Sequence, residues 1–319
     1  MKAIRVHGFG GPEVLKLEEL PDPQPAAGQV VLRVKAVGVN PVDVYTRGGG
    51  YGPKPFPYVP GTDAAGIIES VGDDVAGLRP GDRVYVHVRP DGASAEQLAC
   101  DAVDVHPLPP RLSFAQGAAI GIPYATAYRA LFHRGRAHPH ESVLIHGASG
   151  SVGLAAAQMA VNHGCIVIGT AGSEPGLDKV CRQGVALTLN HRTPGYLDQL
   201  MAFTGGRGVD LVLETRADQN LEKDLGVLAK HGRVVVIGSR GRIEIDPRAT
   251  MVKDADVRGM SMWNADADEL AVIHAALVAG FTNGTLTPVV AREFPLADAA
   301  AAHAAVAAGG TNGKIVLVP

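Results

Sequence analysis

Two short segments carry residue types whose spacing could do chemistry. The first, "HGASGSVG" (146–153), places three glycines at G-x-x-G-x-x-G spacing. It lies between an apolar run, "SVLIH" (142–146), and "VGLAAAQMAVNHG" (152–164), where Val152, Ala156, Met159 and Ala160 recur at helical spacing. A strand, a glycine turn and a helix in this order leave backbone N–H groups free at the positive end of the helix, where a pyrophosphate can sit. In that arrangement Gly147 serves the turn, Gly150 lets phosphates approach and Gly153 lets helix and strand pack closely. The spacing is one residue away from the common G-x-G-x-x-G fingerprint. A structural turn in a flavodoxin-like or methyltransferase-like sheet is therefore the competing reading.

The second segment, "GTAGSEPG" (169–176), is the tip of the following strand. In an NAD site an acidic residue about 20 residues after the glycines holds the ribose 2′-hydroxyl. Here Thr170, Ala171, Gly172 and Ser173 occupy the tip, and the first acid, Glu174, falls late and beside a proline. A small polar tip leaves room for a 2′-phosphate, so NADPH is favoured over NADH, with Lys179, His191, Arg192 and Arg240 as cationic partners. Glu174 reaching the ribose is the alternative.

Other devices are missing. No Y-x-x-x-K, G-x-S-x-G or H-E-x-x-H occurs, which removes the short-chain reductase, α/β-hydrolase and zincin readings. "GGTNGKI" (309–315) lacks the spacing of a P-loop and the Ser/Thr after Lys314, and reads as a turn before a strand. "HRGRAHPH" offers His133, His138 and His140, but with two arginines and a proline it reads as an exposed connection, not a metal site.

The elements that must position these segments follow from the hydrophobic pattern. Through residue 124 the chain shows short β-rich runs, "AIRVH" (3–7), "VVLRVKAVGV" (30–39), "AGIIESVG" (65–72) and "RVYVHV" (83–88), separated by Pro and Gly clusters. From about Ala125 strands and helices alternate: after "SVLIH" come strands "CIVIGT" (165–170), "ALTLN" (186–190), "VDLVLE" (209–214) and "RVVVIGS" (233–239). Helices "PGLDKVCRQG", "GYLDQLMAFTGG" and "NLEKDLGVLAKHG" lie among them. Strands that are nearly continuous apolar runs belong to a parallel sheet covered on both faces, a doubly wound domain. The pattern leaves open which domain the last helices and the strand "KIVLVP" join.

Bulk properties fit this picture. A chain of 319 residues, 46% hydrophobic and 19% charged, suggests about two soluble domains. A net charge of −3 gives no electrostatic footprint for nucleic acid. The first residues lack the apolar core of a signal peptide and no run is long enough to span a bilayer, so a cytoplasmic location is expected. Cys100, Cys165 and Cys181 are odd in number and widely spaced, which fits reduced thiols.

An ordered series of segments nearly spanning the chain carries a resemblance. It includes "GGPEVLKLEE" (10–19), "GVNPVDVYTRGG" (38–49), "YVPGTDAAGIIESVGDDV" (58–75), "QGAAIGIPYATAYRAL" (116–131), "ESVLIHGASGSVGLAAAQMA" (141–160) and "GRVVVIGSRGRIEIDPR" (232–248). In these the chain resembles the zinc-independent, zeta-crystallin-like quinone oxidoreductases of the medium-chain dehydrogenase/reductase superfamily. That resemblance implies an α/β fold, with a GroES-like β-rich catalytic domain (1–124 and 266–319) and a Rossmann doubly wound parallel-sheet domain binding NADPH (125–265). Where zinc-dependent relatives place a cysteine and a G-H-E triplet, this chain reads "NPVD" and "GTD". Asn40, Asp43, Thr62 and Asp63 stand there, which implies that no metal assists.

The implied reaction passes reducing equivalents from NADPH to a quinone, with positioning beside the nicotinamide supplying much of the catalysis. Asn40, Tyr45 and Tyr51 are the implied substrate-pocket residues, Asn40 as hydrogen-bond donor to the acceptor oxygen. The implied cofactor contacts are Tyr45, Thr126, Ser149, Gly150, Ser151, Val152, Gly172, Ser173, Lys179, His191, Asn220, Gly238, Ser239 and Arg240. Thr126 faces the carboxamide, and Lys314 either approaches the pyrophosphate or starts the last strand. A homodimer or homotetramer is implied. Reduction of activated C=C bonds in enones or alkenals is the enzymatic rival, and NADPH binding by a structural or RNA-associated protein the rival of another class. The departures are "HVRPDGASAEQLA" (87–99), Arg216 and Asp218 in "ETRADQN", and Trp263, and they bear on acceptor choice and assembly.

Overall fold

The computed structural model describes residues 1–87 and 92–319. Val88 of the expected strand 83–88, and the residues up to 91 of the unusual segment 87–99, lie outside the described residues. The chain divides into two compact units, Met1–Ile122 with His274–Pro319, and Pro123–Ile273. The second crossing falls at 273/274 where 265/266 is expected, because the continuous helix Ala267–Asn283 runs through it. A change of sequence rhythm cannot mark the point inside a helix at which its packing partners change.

The first unit is built on a sheet of seven strands. The order is Val290–Pro295, Lys314–Val318, Gln29–Val39, Asp63–Val71, Arg83–His87 and Val105–Pro107, with Gln97–Asp101 also paired to Gln29–Val39. The two late strands, whose membership the pattern leaves open, therefore belong here. Gln29–Val39 is rich in β-branched residues, which suit a pleated buried surface, and its Val30, Leu32, Val34 and Val37 are buried with Ile68, Val84, Val86, Ile315 and Leu317 in one core. The register sets Val316 opposite Gly38, Gly38 opposite Asp63, and Asp63 opposite His87. Gly38 must be glycine, since a Cβ there would lie 2.0 Å from the Ala118 carbonyl oxygen and 2.6 Å from Cε of Lys314.

The second unit is a six-stranded, all-parallel sheet. Its spatial order is Leu187–Asn190, Ile166–Ala171, Ser142–Ile145, Val209–Glu214, Leu228–Val236 and Asp256–Gly259. Numbered along the chain this is 3-2-1-4-5-6, the doubly wound order that reverses direction beside its first strand. Leu144, Ile168, Leu189, Val212 and Val234 fill its core. The helix expected over 220–232 occupies Ala217–Val227, and the strand begins at Leu228. Its pairing with Val209–Glu214 jumps between Leu228 and Arg233, and the intervening His231 has φ +63°. An irregularity of that kind has no periodic signature in sequence.

Candidate active site

In the nucleotide unit the glycine turn follows strand Ser142–Ile145. Gly147 takes φ +63°, the left-handed conformation that favours glycine. A Cβ at Gly153 would come within 2.5 Å of the Ala148 Cα and the Gly147 carbonyl oxygen, so only glycine lets helix Ser151–Asn162 seat on the turn. At Gly150 the one atom within reach is the Gly147 oxygen at 3.3 Å, which leaves the approach open. Gly150 is also the helix N-cap and has no side chain to accept from the first-turn N–H groups. Those of Ser151, Val152 and Gly153 have no acceptor within the helix, which leaves donors for an anion at this end.

The tip of strand Ile166–Ala171 is organised around Thr170, which is fully buried and whose Oγ1 accepts from the Gly147 N–H at 3.2 Å. A Cβ at Gly172 would lie 2.7 Å from Nε2 of His191 and 3.1 Å from Nε of Arg192, so these three residues meet at the strand tip. Burial, then the charges of His146 and Arg192, push the His191 imidazole pKa down. Ser173 caps helix Glu174–Cys181, its Oγ accepting from Gly176 N at 3.3 Å. Lys179 sits in the last turn of that helix, six residues on and about 9 Å along the axis from the tip.

Along the same sheet edge, Gly238 leaves no room for a side chain, a Cβ being 2.7 Å from the Thr215 oxygen. Ser239 donates to Gly241 O at 3.0 Å, and Asn220 lies on helix Ala217–Val227. The Arg240 N–H donates to Asp218 Oδ1 at 3.0 Å, and Arg216 grips the same carboxylate at 3.0 and 3.2 Å. The Arg216 hydrogen bond, first, and the Arg240 N–H hold the Asp218 pKa down at about 2. The unexpected pair Arg216 and Asp218 thus fixes the loop that carries Arg240. Thr126, on helix Gly121–Tyr128, is 6% exposed.

In the first unit, Asn40 ends the strand Gln29–Val39 and caps helix Pro41–Arg47 in a reciprocal box with Asp43, its own N–H donating to Asp43 Oδ2 at 2.7 Å. Its side chain is consumed by a buried cluster. Asn40 Nδ2 donates to Asp63 Oδ2 at 2.8 Å and to Thr62 Oγ1 at 3.4 Å, and Asn40 Oδ1 accepts from Lys314 Nζ. Lys314 Nζ also reaches Asp63 Oδ2 at 2.9 Å, while Asp63 Oδ1 accepts from Ile122 N at 2.9 Å. Asn40 and Lys314 are each 1% exposed and Asp63 not at all. Burial, above all, raises the Asp43 pKa to about 7.

Two expectations are corrected by this cluster. Asn40 has no amide hydrogen left to offer an acceptor, because both of its side-chain ends are already bonded in the protein interior. Lys314 is not available to a pyrophosphate, because its ammonium is held in the first unit by Asn40 and Asp63. Of the four residues that the resemblance sets against zinc ligands, Asn40 and Asp63 hold a buried ammonium, a positive charge that neutralises Asp63 and disfavours a divalent ion beside it. His133, from the histidine-rich segment, pairs with Glu269 at 3.1 Å.

Tyr45 is half-buried on helix Pro41–Arg47, and Tyr51, just beyond it, is 58% exposed. Near them the sequence reading missed Phe9 and Phe56, exposed aromatics whose rings meet edge to face at 4.9 Å, with Tyr58 5.9 Å from Phe56 and the Lys54 ammonium 4.6 Å over Tyr58. Exposed aromatic faces of this kind suit a flat ring. The signal for Phe56 was available in "PKPFPY", where apolar rings sit among prolines without strand periodicity.

Comparison with known proteins follows the same two units. Residues 26–110 match the alcohol dehydrogenase GroES-like domain family, and residues 151–276 match the zinc-binding dehydrogenase family. A quinone oxidoreductase of Rattus norvegicus is 48% identical over 304 residues, covering 95% of this chain and 92% of that protein. The chain belongs to the quinone oxidoreductase family. This places it in the zeta-crystallin-like branch of the medium-chain dehydrogenase/reductase superfamily, with a GroES-like and a Rossmann domain. Among solved structures, an Escherichia coli quinone oxidoreductase complexed with NADPH superimposes with TM-score 0.92 at 30% identity, both chains covered fully. An NAD-dependent alcohol dehydrogenase does so equally well, with TM-score 0.92 and 30% identity over the whole of both chains. Nearly the same backbone thus occurs in a structure complexed with NADPH and in one named as NAD-dependent. No helix among the described residues is long and apolar enough to cross a membrane.

Proposed function

We propose that the protein is an NADPH:quinone oxidoreductase that works without a metal. The observation that carries this reading is the Lys314 ammonium buried against Asn40 and Asp63. With a fixed cation where a metal would polarise a carbonyl, the acceptor must be electron-poor by itself, as a conjugated quinone is. The name of the rat relative and that of the E. coli structure point to the same acceptor and cofactor.

The residues present fit NADPH. The open face at Gly150 and the first-turn N–H groups of Ser151 to Gly153 hold the pyrophosphate, backed by Ser149. Gly172, His191 and Arg192 take the 2′-phosphate, with Arg240 on its anchored loop. Asn220, Gly238, Ser239 and Thr126 complete the contacts. When bound, NADPH supplies the hydride. In the first unit Tyr45 replaces Asn40 as donor to the acceptor oxygen, and Tyr51, Phe9 and Phe56 offer flat faces to its ring. Asn40 acts through position, holding the start of the helix that carries Tyr45.

Steady-state oxidation of NADPH with a small quinone, an enone and a simple ketone, each with and without chelator, tests the function. Quinone-dependent turnover indifferent to chelator is expected. A quinone rate no higher than the uncatalysed background overturns the reading, and a faster enone rate moves it to double-bond reduction. The phosphate pocket has its own test. Arg192→Ala should raise KM for NADPH about tenfold, the loss of one charge-assisted hydrogen bond, and leave KM for NADH unchanged. Equal changes for both cofactors would place the 2′-phosphate elsewhere.

The assembly we propose is a homodimer through strand Asp256–Gly259. That strand closes one edge of the six-stranded sheet, and Val257 and Trp263 there are 43% and 37% exposed. Unpaired edges recruit further strands. Sedimentation should give a dimer for the wild type and a monomer for Val257→Lys; a monomeric wild type rejects the proposal.

A further inference from the structure

Directly beneath the glycine turn lies a group of ionisable side chains that neither the cofactor contacts nor the acceptor site uses. His146 is the residue that enters the turn. Its Nε2 lies 2.9 Å from Asp224 Oδ1 and 3.8 Å from Glu214 Oε2, and all three side chains are at most 4% exposed. Asp224 comes from helix Ala217–Val227 and Glu214 from the end of strand Val209–Glu214. Glu214 Oε1 accepts from the Arg216 N–H, whereas Glu214 Oε2 and Asp224 Oδ2 have no donor. Two buried carboxylates beside one imidazolium cannot both be left ionised without a large desolvation cost.

The group is tied to each loop of this sheet edge. Nδ1 of His146 is 3.5 Å from Thr170 Oγ1, and the same hydroxyl accepts from Gly147 N. The carbonyl of His146 accepts from Thr215 Oγ1 at 3.5 Å. The carbonyl of Glu214 accepts from Ile237 N at 2.8 Å and Gly238 N at 3.3 Å. So the turn 147–150, the loop 215–216 and the loop 237–240 are all fastened to His146, Glu214 or Thr170. The turn and the 237–240 loop are among those to which the proposed function assigns the cofactor.

We propose that His146, Asp224 and Glu214 are positioning residues forming a buried proton-sharing clamp, whose protonated form holds the glycine turn in the shape that binds the dinucleotide. In that form His146 is an imidazolium donating to Asp224, and Glu214 is a neutral acid whose proton lies toward Asp224. The three together are then electrically neutral. Loss of the Glu214 proton leaves two buried carboxylates against one imidazolium, and the repulsion is relieved by opening the contacts that fasten the turn.

The ionisation of the groups agrees with this geometry. Burial, followed by the neighbouring charge of Asp224, raises the Glu214 pKa to about 7 even though His146 opposes it. Burial works against a charged His146, but the hydrogen bond and charge of Asp224 and the charge of Glu214 outweigh it and raise its pKa. The other charged or titratable groups facing the cluster are Lys223, which opposes the imidazolium, His191, and Tyr196. Because the Glu214 pKa is raised on folding, the clamp is intact at low pH and loses its proton as pH rises through about 7. A metal ion is the rival occupant, since the three residues could each offer one ligand atom. The 2.9 Å separation of His146 Nε2 and Asp224 Oδ1 is that of a hydrogen bond, and is shorter than the roughly 3.3 Å edge of a tetrahedral site with 2.0–2.1 Å bonds.

The inference rests on the turn binding NADPH, and the experiment separates the two. NADPH dissociation constants are measured from pH 5.5 to 9 for wild type, Glu214→Gln and Thr170→Val, together with the infrared carbonyl stretch of a protonated carboxylic acid. In the wild type the carboxylic acid band should fade as pH rises through neutrality while the dissociation constant climbs about tenfold. Glu214→Gln, a neutral mimic of the protonated acid, should lack the band and bind with a flat profile, apart from any limb shared by all variants that belongs to the 2′-phosphate. Thr170→Val changes no charge but cuts the link from His146 to Gly147, and should keep the band while binding NADPH about tenfold more weakly than wild type at pH 5.5, with no further clamp-dependent loss as pH rises. A wild-type band absent at pH 5.5, a Glu214→Gln profile identical to wild type, or stoichiometric zinc or manganese lost on Asp224→Asn each overturns the clamp. Wild-type protein that shows the band and does not bind NADPH overturns the cofactor reading alone and upholds the shared proton.

Discussion

Lys314→Met will cost the protein about 3–5 kcal/mol of folding stability, the penalty for stranding a buried charge. Methionine fills the volume of the lysine stem and leaves Asp63 with an uncompensated carboxylate and Asn40 Oδ1 without its donor, both inside the protein. Urea unfolding followed by circular dichroism measures the loss. The double variant Asp63→Asn with Lys314→Met removes both charges and should recover at least half of it. A Lys314→Met protein within 1 kcal/mol of the wild type would show that the ammonium is not what neutralises Asp63. The loss should not be restored by zinc, because the residues left behind lack the cysteine and histidine that zinc prefers.

Gly153→Val is the second large effect. With a Cβ only 2.5 Å from the Ala148 Cα and the Gly147 oxygen, helix Ser151–Asn162 must lift off the turn. Overpacking of this kind costs about 1–3 kcal/mol. Its effect on the cofactor should be larger, because displacing the first-turn N–H groups by about 1 Å can cost on the order of 100-fold. Isothermal titration with NADPH should therefore show roughly 100-fold weaker binding while the far-ultraviolet spectrum stays native. Gly150→Ala, where the only near atom is an oxygen at 3.3 Å, should fold normally and lose less. Equal losses at the two positions would mean that the spacing of the glycines, and not the packing at Gly153, matters.

The nucleotide unit was legible because its signals are local. Strand, glycine turn and helix are contiguous in sequence, so the separate duties of Gly147 and Gly153 could be read from spacing and context. Thr170 and Gly172 likewise fall on a strand tip that the pattern marks. The first unit was less legible because its chemistry is assembled from afar. Lys314 meets residues 251 and 274 positions earlier, and no periodicity reports such a contact. Hence Asn40 reads as an exposed donor when taken with its immediate neighbours, and as a buried cap once Asp63 and Lys314 are placed. The same limit hid the role of His146. It reads as the last letter of an apolar strand, while its partners Glu214 and Asp224 arrive 68 and 78 residues later.

The position of strand Lys314–Val318 also bears on how the chain comes to be folded during synthesis. Domains tend to fold as they emerge from the ribosome, and residues 123–273 contain a complete six-stranded sheet. The first unit cannot close so early, since Lys314–Val318 pairs with Gln29–Val39 in the interior of its sheet. Until then Asp63 is a carboxylate awaiting its cation. The half of the protein that emerges first is the half that matures last.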